Sequence, residues 1–179
     1  MDWKMKFKFC QLLVAMVVLW GVQSTQAAED IKVPFGFQWG ENSQRLEQML
    51  VQSKAKITER KQVDNRQAIT AEGITQRLLR QAVFYFDNDS LNEIELRYGD
   101  ENWDTSQYTN FFEQTRLHIE EKYGPGRLIA RTTTRQGDMV SSILGYQWTQ
   151  TATTLQLFLF TAEQSGDAVR VLSLHYRGY

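Results

Sequence analysis

Beyond residue 126 the chain supplies four extended segments, near 127–133, 139–148, 154–161 and 168–176, with only a few residues between one and the next. A parallel crossover needs about a dozen residues or more, so these segments can pair only as antiparallel neighbours. The third, "LQLFLF", is apolar on both sides of the extended chain, which places it inside the sheet rather than at its edge. A sheet of this kind needs helices over one face to close a core, and the preceding sequence supplies two.

The first half carries a strong hairpin signal. "AVFYF" and "LNEIELRY" flank Asp87-Asn88-Asp89-Ser90, and in the second arm Ile94, Leu96 and Tyr98 alternate with Glu93, Glu95 and Arg97. Upstream, Leu46, Met49, Leu50 and Ser53 fall at helical spacing after Asn42 or Ser43 as N-cap, predicting a short helix over 43–53. "KAKITERKQV" alternates Ala55, Ile57 and Val63 against Lys54, Lys56, Thr58, Arg60 and Gln62, the pattern of a half-buried strand. Residues 66–74 fit a frayed strand or a loop.

A second helix starts at Asp104, a capping residue with Gln107 at the position that reaches back and Trp103 and Tyr108 placed as a hydrophobic staple. Its apolar face is Tyr108, Phe111, Phe112, Thr115, Ile119 and Tyr123, with Leu117 opposite, and Gly124-Pro125 ends it. The expected fold is therefore α+β: an antiparallel sheet packed by two main helices.

The order also suggests a tandem repeat of one helix and three or four strands, with halves at 34–99 and 100–179. "VFYF…EIELRYG" matches "LFLF…VLSLHYRG", offset by 74 residues at Phe86 and Phe160 and by 78 at Tyr98 and Tyr176. The alternative is coincidence, because any two amphipathic hairpins look alike under period-two patterning. A shorter echo, "GFQWG" at 36–40 and "GYQWT" at 145–149, does not share that offset. It reads as a turn that seats Trp39 under the first helix and a strand end that presents Trp148.

The N-terminus reads as an export signal. Lys4, Lys6 and Lys8 precede an apolar run from Phe9 to Val22, short of the roughly 20 residues a membrane span needs, and Thr25-Gln26-Ala27 suits cleavage after Ala27. Residues 1–27 are the expected signal peptide and 28–179 a single mature domain, periplasmic or secreted, with no membrane span. Cys10 lies in the signal, so the mature domain has no cysteine to pair or to carry a lipid. It keeps 17 basic and 20 acidic residues, a balance that argues against nucleic acid as partner.

No chemistry in the sequence specifies a reaction. His118 and His175 have no spacing relation that suits a metal, and the mature domain has no cysteine to add to them, so no metal is expected. No serine lies in a Gly-x-Ser-x-Gly context, which leaves a dispersed hydrolase site using His118 or His175 as an alternative. Glu93 and Glu95 are expected on the solvent face of a strand with ordinary pKa values. Asp87-Asn88-Asp89 lacks the glycine and distal glutamate of a calcium loop. The acidic stretch 87–104 and the basic stretch 54–66 read as solvated faces, or as a dipolar surface that steers a charged partner.

The remaining signal is aromatic. Helices cover one sheet face only, so aromatic residues on the other must be exposed or bound to something, and Tyr85, Tyr146 and Trp148 are the candidates. In pattern, "FGFQWGENSQRLEQML", "FYFDNDSLNEIEL" and "FFEQTRLHIEEKYGPG" resemble exported bacterial helix-on-antiparallel-sheet proteins, namely the β-lactamase-inhibitor proteins and the small lipoproteins of the outer-membrane barrel-assembly machinery. That resemblance implies a module that binds other proteins through its sheet or loops without a cofactor. The expected function is a soluble, exported, non-catalytic binding module with another envelope or extracellular protein as its partner. The alternatives are the dispersed hydrolase and a carrier holding an apolar ligand between helices and sheet.

Overall fold

The structure, a computed structural model, describes residues 30–179. The expected signal peptide and Cys10 lie outside the described residues. Within them the order is a 3-10 turn (Pro34–Gly36), α1 (Ser43–Gln52), β1 (Lys56–Val63), β2 (Arg66–Glu72), β3 (Leu79–Asp87), β4 (Ser90–Tyr98), α2 (Thr105–Tyr123), β5 (Arg127–Gln136), β6 (Met139–Gln150), β7 (Thr153–Gln164) and β8 (Asp167–Gly178). All eight strands form one antiparallel sheet ordered β1-β2-β3-β4-β8-β7-β6-β5. No helix among the described residues is long and apolar enough to cross a membrane.

Two-residue turns set the register of the hairpins. Asp64-Asn65 and Asn88-Asp89 hold positive φ at both positions (50° and 64°, 50° and 60°), and Ser165-Gly166 does the same. That twist matches the twist of the strands it joins. α2 begins as its sequence requires: Asp104 Oδ1 accepts from Gln107 N (2.8 Å), Gln107 Oε1 accepts from Asp104 N (2.9 Å), and the Trp103 ring meets Tyr108 edge-on at 5.3 Å.

The core lies on one face of the sheet. Ala82, Phe84 and Phe86 of β3, Ile94 and Leu96 of β4, Leu155, Leu157 and Leu159 of β7 and Leu172 and Leu174 of β8 pack there with Leu46 and Leu50 of α1 and Tyr108, Phe112 and Ile119 of α2. The segment 31–41 crosses the same face. Phe37 stacks edge-on against Phe84, Trp39 Nε1 donates to Thr153 Oγ1 (3.0 Å), and Gly40 and Glu41 exchange backbone hydrogen bonds with Leu91. Trp39 therefore seats on the end of β8 rather than under the first helix. A Cβ at Gly178 would lie 2.6 Å from the indole, so only glycine allows the ring this close.

The two halves meet at β4 and β8, through six residue pairs from Glu93↔Arg177 to Tyr98↔Leu172. Leu96 pairs with Leu174, residues 78 apart. The match drawn between "VFYF" and "LFLF" is one position out of step with the strand pairing. Phe84 pairs with Ile94, whereas the residue opposite Leu172 is Leu159, not Phe158. Phe158 and Phe160 thus face away from the helices, since a slip of one residue reverses every side chain.

Candidate functional site

The helix-side face is not completely filled. Between α2, the loop 73–78 and the β4/β8 seam lies a cleft of about 950 Å³. Its floor and walls are aromatic and aliphatic: Tyr98 and Tyr176 from the two seam strands, Trp103 and Phe111 at the start of α2, Tyr123 at its end, and Leu174 beneath. The sequence brings them together by simple rules. Tyr98 and Tyr176 follow the inward alternation of β4 and β8, and Phe111 and Tyr123 follow the helical period along α2.

The hydrogen bonding of these rings is uneven. Tyr98 Oη accepts from Gln76 Nε2 at 2.9 Å, and burial raises its pKa to about 12. Burial raises the Tyr176 phenol further, reinforced by Tyr98 and Tyr123, so both are neutral hydroxyls at any physiological pH. The Tyr176 and Tyr123 hydroxyls and the Trp103 indole N–H have no hydrogen-bond partner among the described residues. None is sealed from solvent, since the only fully buried unpartnered side-chain atoms among the described residues are Glu41 Oε2 and Asn92 Oδ1.

The opposite, open face carries a polar network. Glu93, expected in solvent, is 3 % exposed, and Glu95 is 6 % exposed. The reason is position: β4 is a central strand, and long side chains from β2, β3, β4 and β8 lie flat over it. Glu93 accepts from Arg66 Nη1 (2.8 Å), Arg177 Nη2 (3.2 Å) and His175 Nδ1 (2.9 Å). Glu95 is held by Arg97 Nε (2.5 Å) and by the Tyr85 hydroxyl (2.8 Å), while the Arg66 guanidinium stacks 4.7 Å above the Tyr85 ring. Burial pushes the Glu93 pKa up, but the bonds from His175 and Arg66 and the charge of Arg177 outweigh it and hold the carboxyl at about 2. Burial opposes ionisation of Glu95 too, and Arg97, His175 and Tyr85 together keep it below the usual carboxylate range.

Within this network Glu93, His175 and Ser173 have the spacing of a proton relay. A carboxylate only accepts, so His175 Nδ1 donates to Glu93, and Nε2 lies at hydrogen-bond distance, 3.0 Å, from Ser173 Oγ. The surroundings oppose catalysis. Ser173 is 5 % exposed, and β8 is paired with β4 and β7 along this stretch, so Oγ sits on a paired central strand rather than on an exposed loop. His118 is far from any such arrangement: its ring is exposed on α2, 4.0 Å from Glu121. No group of three or more His, Cys, Asp or Glu among the described residues is placed to hold a metal.

Of the three aromatic residues chosen as a binding face, only Tyr85 lies on the open face, and Glu95 and Arg66 already engage it. Tyr146 and Trp148 face the helices. Trp148 is 4 % exposed, donates to the Gly124 carbonyl (2.9 Å) and packs on Gly126, and Tyr146 lies under Arg116 of α2. Alternation along β6 correctly puts the two rings on one face but does not say which face the helices cover. Sequence reasoning, having assigned Phe111 and Tyr123 to the buried face of the second helix, did not place a cleft at these residues. The signal was the matched pair Tyr98 and Tyr176, which a tandem arrangement brings to the same seam.

Comparison with known proteins returns no match, neither to a family model, nor to a curated protein, nor to a solved structure.

Proposed function

We propose that the mature chain is a soluble, exported, non-catalytic binding module of the bacterial cell envelope, and that its ligand occupies the cleft between α2 and the β4/β8 seam. The observation that carries this reading is the cleft itself, about 950 Å³ with an aromatic floor and three unpartnered polar tips, a size and lining that suit a small ligand. The N-terminal pattern supports export, with a mature terminus at Ala28. We further propose that the halves are a tandem repeat of one helix and four strands. The supporting observation is the pairing of Leu96 with Leu174, residues 78 apart, which a two-fold axis between β4 and β8 at that offset would pass between.

A second reading retains a protein partner and moves it to the open face, where Ile143, Phe160 and Val169 are exposed together on β6, β7 and β8. One experiment separates the two. Isotope-labelled mature protein is mixed with lipid, glycan and protein fractions of a bacterial envelope extract. Shifts at Trp103, Phe111 and Tyr176 are the expected result, shifts confined to Phe160 and Val169 would favour the second reading, and an unchanged spectrum would remove both.

A further inference from the structure

β5 lies at one end of the sheet, with β6 on one side of it and no strand on the other. It runs for 10 residues, and 131–136 are exposed without a break. Its outward N–H and C=O groups, on alternate residues, bond to no other backbone among the described residues. Natural proteins blunt such edges with proline, short length, bulges or a covering loop. β5 has no proline and bulges only between Leu128 and Ala130, and Thr132-Thr133-Thr134 keep the rest extended.

The strand carries charge of one sign. Arg127, Arg131 and Arg135 are exposed, and none of the three makes a hydrogen bond, ion pair or ring contact among the described residues. Neither β5 nor β6 contains an aspartate or glutamate. Acids on neighbouring elements are engaged elsewhere. Arg116, which lies over Tyr146 of β6, binds Glu113 and Glu120, and Asp138 in the turn after β5 accepts from Gln164 and Ser165. Arg131 and Arg135 sit opposite Leu144 and Val140, so they share one face of the sheet about 13 Å apart along the strand. Arg127 lies beyond the bulge, opposite Gln147. The other edge differs: on β1, Lys61 pairs with Glu59 (2.9 Å) and Arg60 with Glu47 of α1 (3.0 Å).

Charge identifies the occupant. Charged side chains guard an edge against stray pairing, and arginines leave it open to an acidic strand. A second copy of the chain would bring arginines against arginines, and like charges facing across a strand pair repel. An acidic segment turns the same residues into cross-strand ion pairs, while backbone hydrogen bonds supply the rest of the affinity. We propose that the outer edge of β5 docks an extended acidic segment of another protein, which adds to the sheet as a ninth strand and sets carboxylates against Arg131 and Arg135. This surface is separate from the cleft, and neither proposal depends on the other.

The test is a nuclear magnetic resonance titration of isotope-labelled protein with threonine-rich peptides the length of β5. They carry two glutamates four residues apart, or two glutamines or two lysines at the same positions. The glutamate peptide is expected to shift the amides of 131–136 saturably and to slow the hydrogen exchange of alternate ones. It should bind about two- to tenfold more tightly than the glutamine peptide, as two exposed ion pairs allow, and the lysine peptide should bind least. Arg131→Gln combined with Arg135→Gln, both exposed changes, is expected to erase that order. N-methylation of every second peptide residue should abolish binding in one of its two phases and spare it in the other, because only alternate N–H groups face β5. Binding that ignores the phase of methylation, equal affinity for the three peptides, shifts confined to the cleft or the open face, or no binding by any peptide would overturn the proposal. Shifts at β5 that grow with protein concentration alone would place a second copy on the edge and overturn it as well.

Discussion

Glu93 concentrates more charge contacts than any other carboxylate on the open face, and the consequences of removing it follow from how its partners are placed. Glu93→Gln keeps the shape but leaves Arg66, Arg177 and His175 without their anion. The guanidiniums are 29 % and 48 % exposed and can recover water, so the loss stays below that of a fully buried ion pair. An unfolding free energy lower by about 1–3 kcal/mol is expected from urea titration at neutral pH. The pH dependence has a definite sign. The Glu93 pKa falls from an ordinary 4.5 to about 2 on folding, so its contribution is complete above about 4.5 and is lost as pH drops through about 2. Glu93→Gln should therefore flatten the acid limb of the stability profile without abolishing it, because Glu95 is shifted in the same direction. An acid limb as steep as that of the parent protein would show that Glu93 does not govern it.

At the level of elements, α2 depends on its first turn. Asp104→Ala removes the side-chain acceptor for Gln107 N while leaving the helix face that packs on β7 and β8 intact. A loss of about 1 kcal/mol is expected, read as a melting temperature lower by roughly 2–4 °C. Glu121→Ala, on the exposed side of the same helix at 83 % side-chain exposure, should leave the melting temperature within about 1 °C, as expected for a surface change. This cap was legible in the sequence because it is local: Asp104, Gln107, Trp103 and Tyr108 interact within a few residues. The Asn88-Asp89 turn and the antiparallel pairing of β5 to β8 were legible for the same reason. Facing was not. Tyr146 and Trp148 alternate as any strand does, and only the packing of α2 decides that they point inward. Glu93 and Glu95 look like solvent residues in "LNEIELRY" because nothing within that hairpin announces that β8 will pair alongside and bring His175 and Arg177 over them. The apolar run "LQLFLF" hid its parity altogether, since both of its faces are apolar, and Phe158 and Phe160, matched in sequence with the inward Phe84 and Phe86, face away from the helices. The cleft combines both difficulties, as its lining comes from β4, β8, α2 and the loop 73–78.

For the whole molecule the seam between β4 and β8 decides whether the halves behave as one body. Only six residue pairs join them, against twelve between β7 and β8. On one side of the seam Leu96 and Leu174 are buried at 1 % and 6 % exposure, and on the other Glu93 bonds across it to His175 and Arg177. Separating the halves would expose the unpaired edges of two long strands and strand a buried carboxylate, while the segment 31–41 would lose its contacts with β7 and β8. No half keeps its own core under those conditions, even if the two arose as a tandem repeat. Unfolding in urea is therefore expected as one transition, with coincident midpoints for far-ultraviolet circular dichroism, tryptophan fluorescence and amide exchange of β2 and β6. Leu174→Ala at the seam should lower that common midpoint, by about 2–4 kcal/mol in free energy, and keep the curves superimposed. Two separated transitions in the parent protein, or protection of β6 persisting after β2 has exchanged, would mean that each half carries a self-sufficient core and that the seam only docks them.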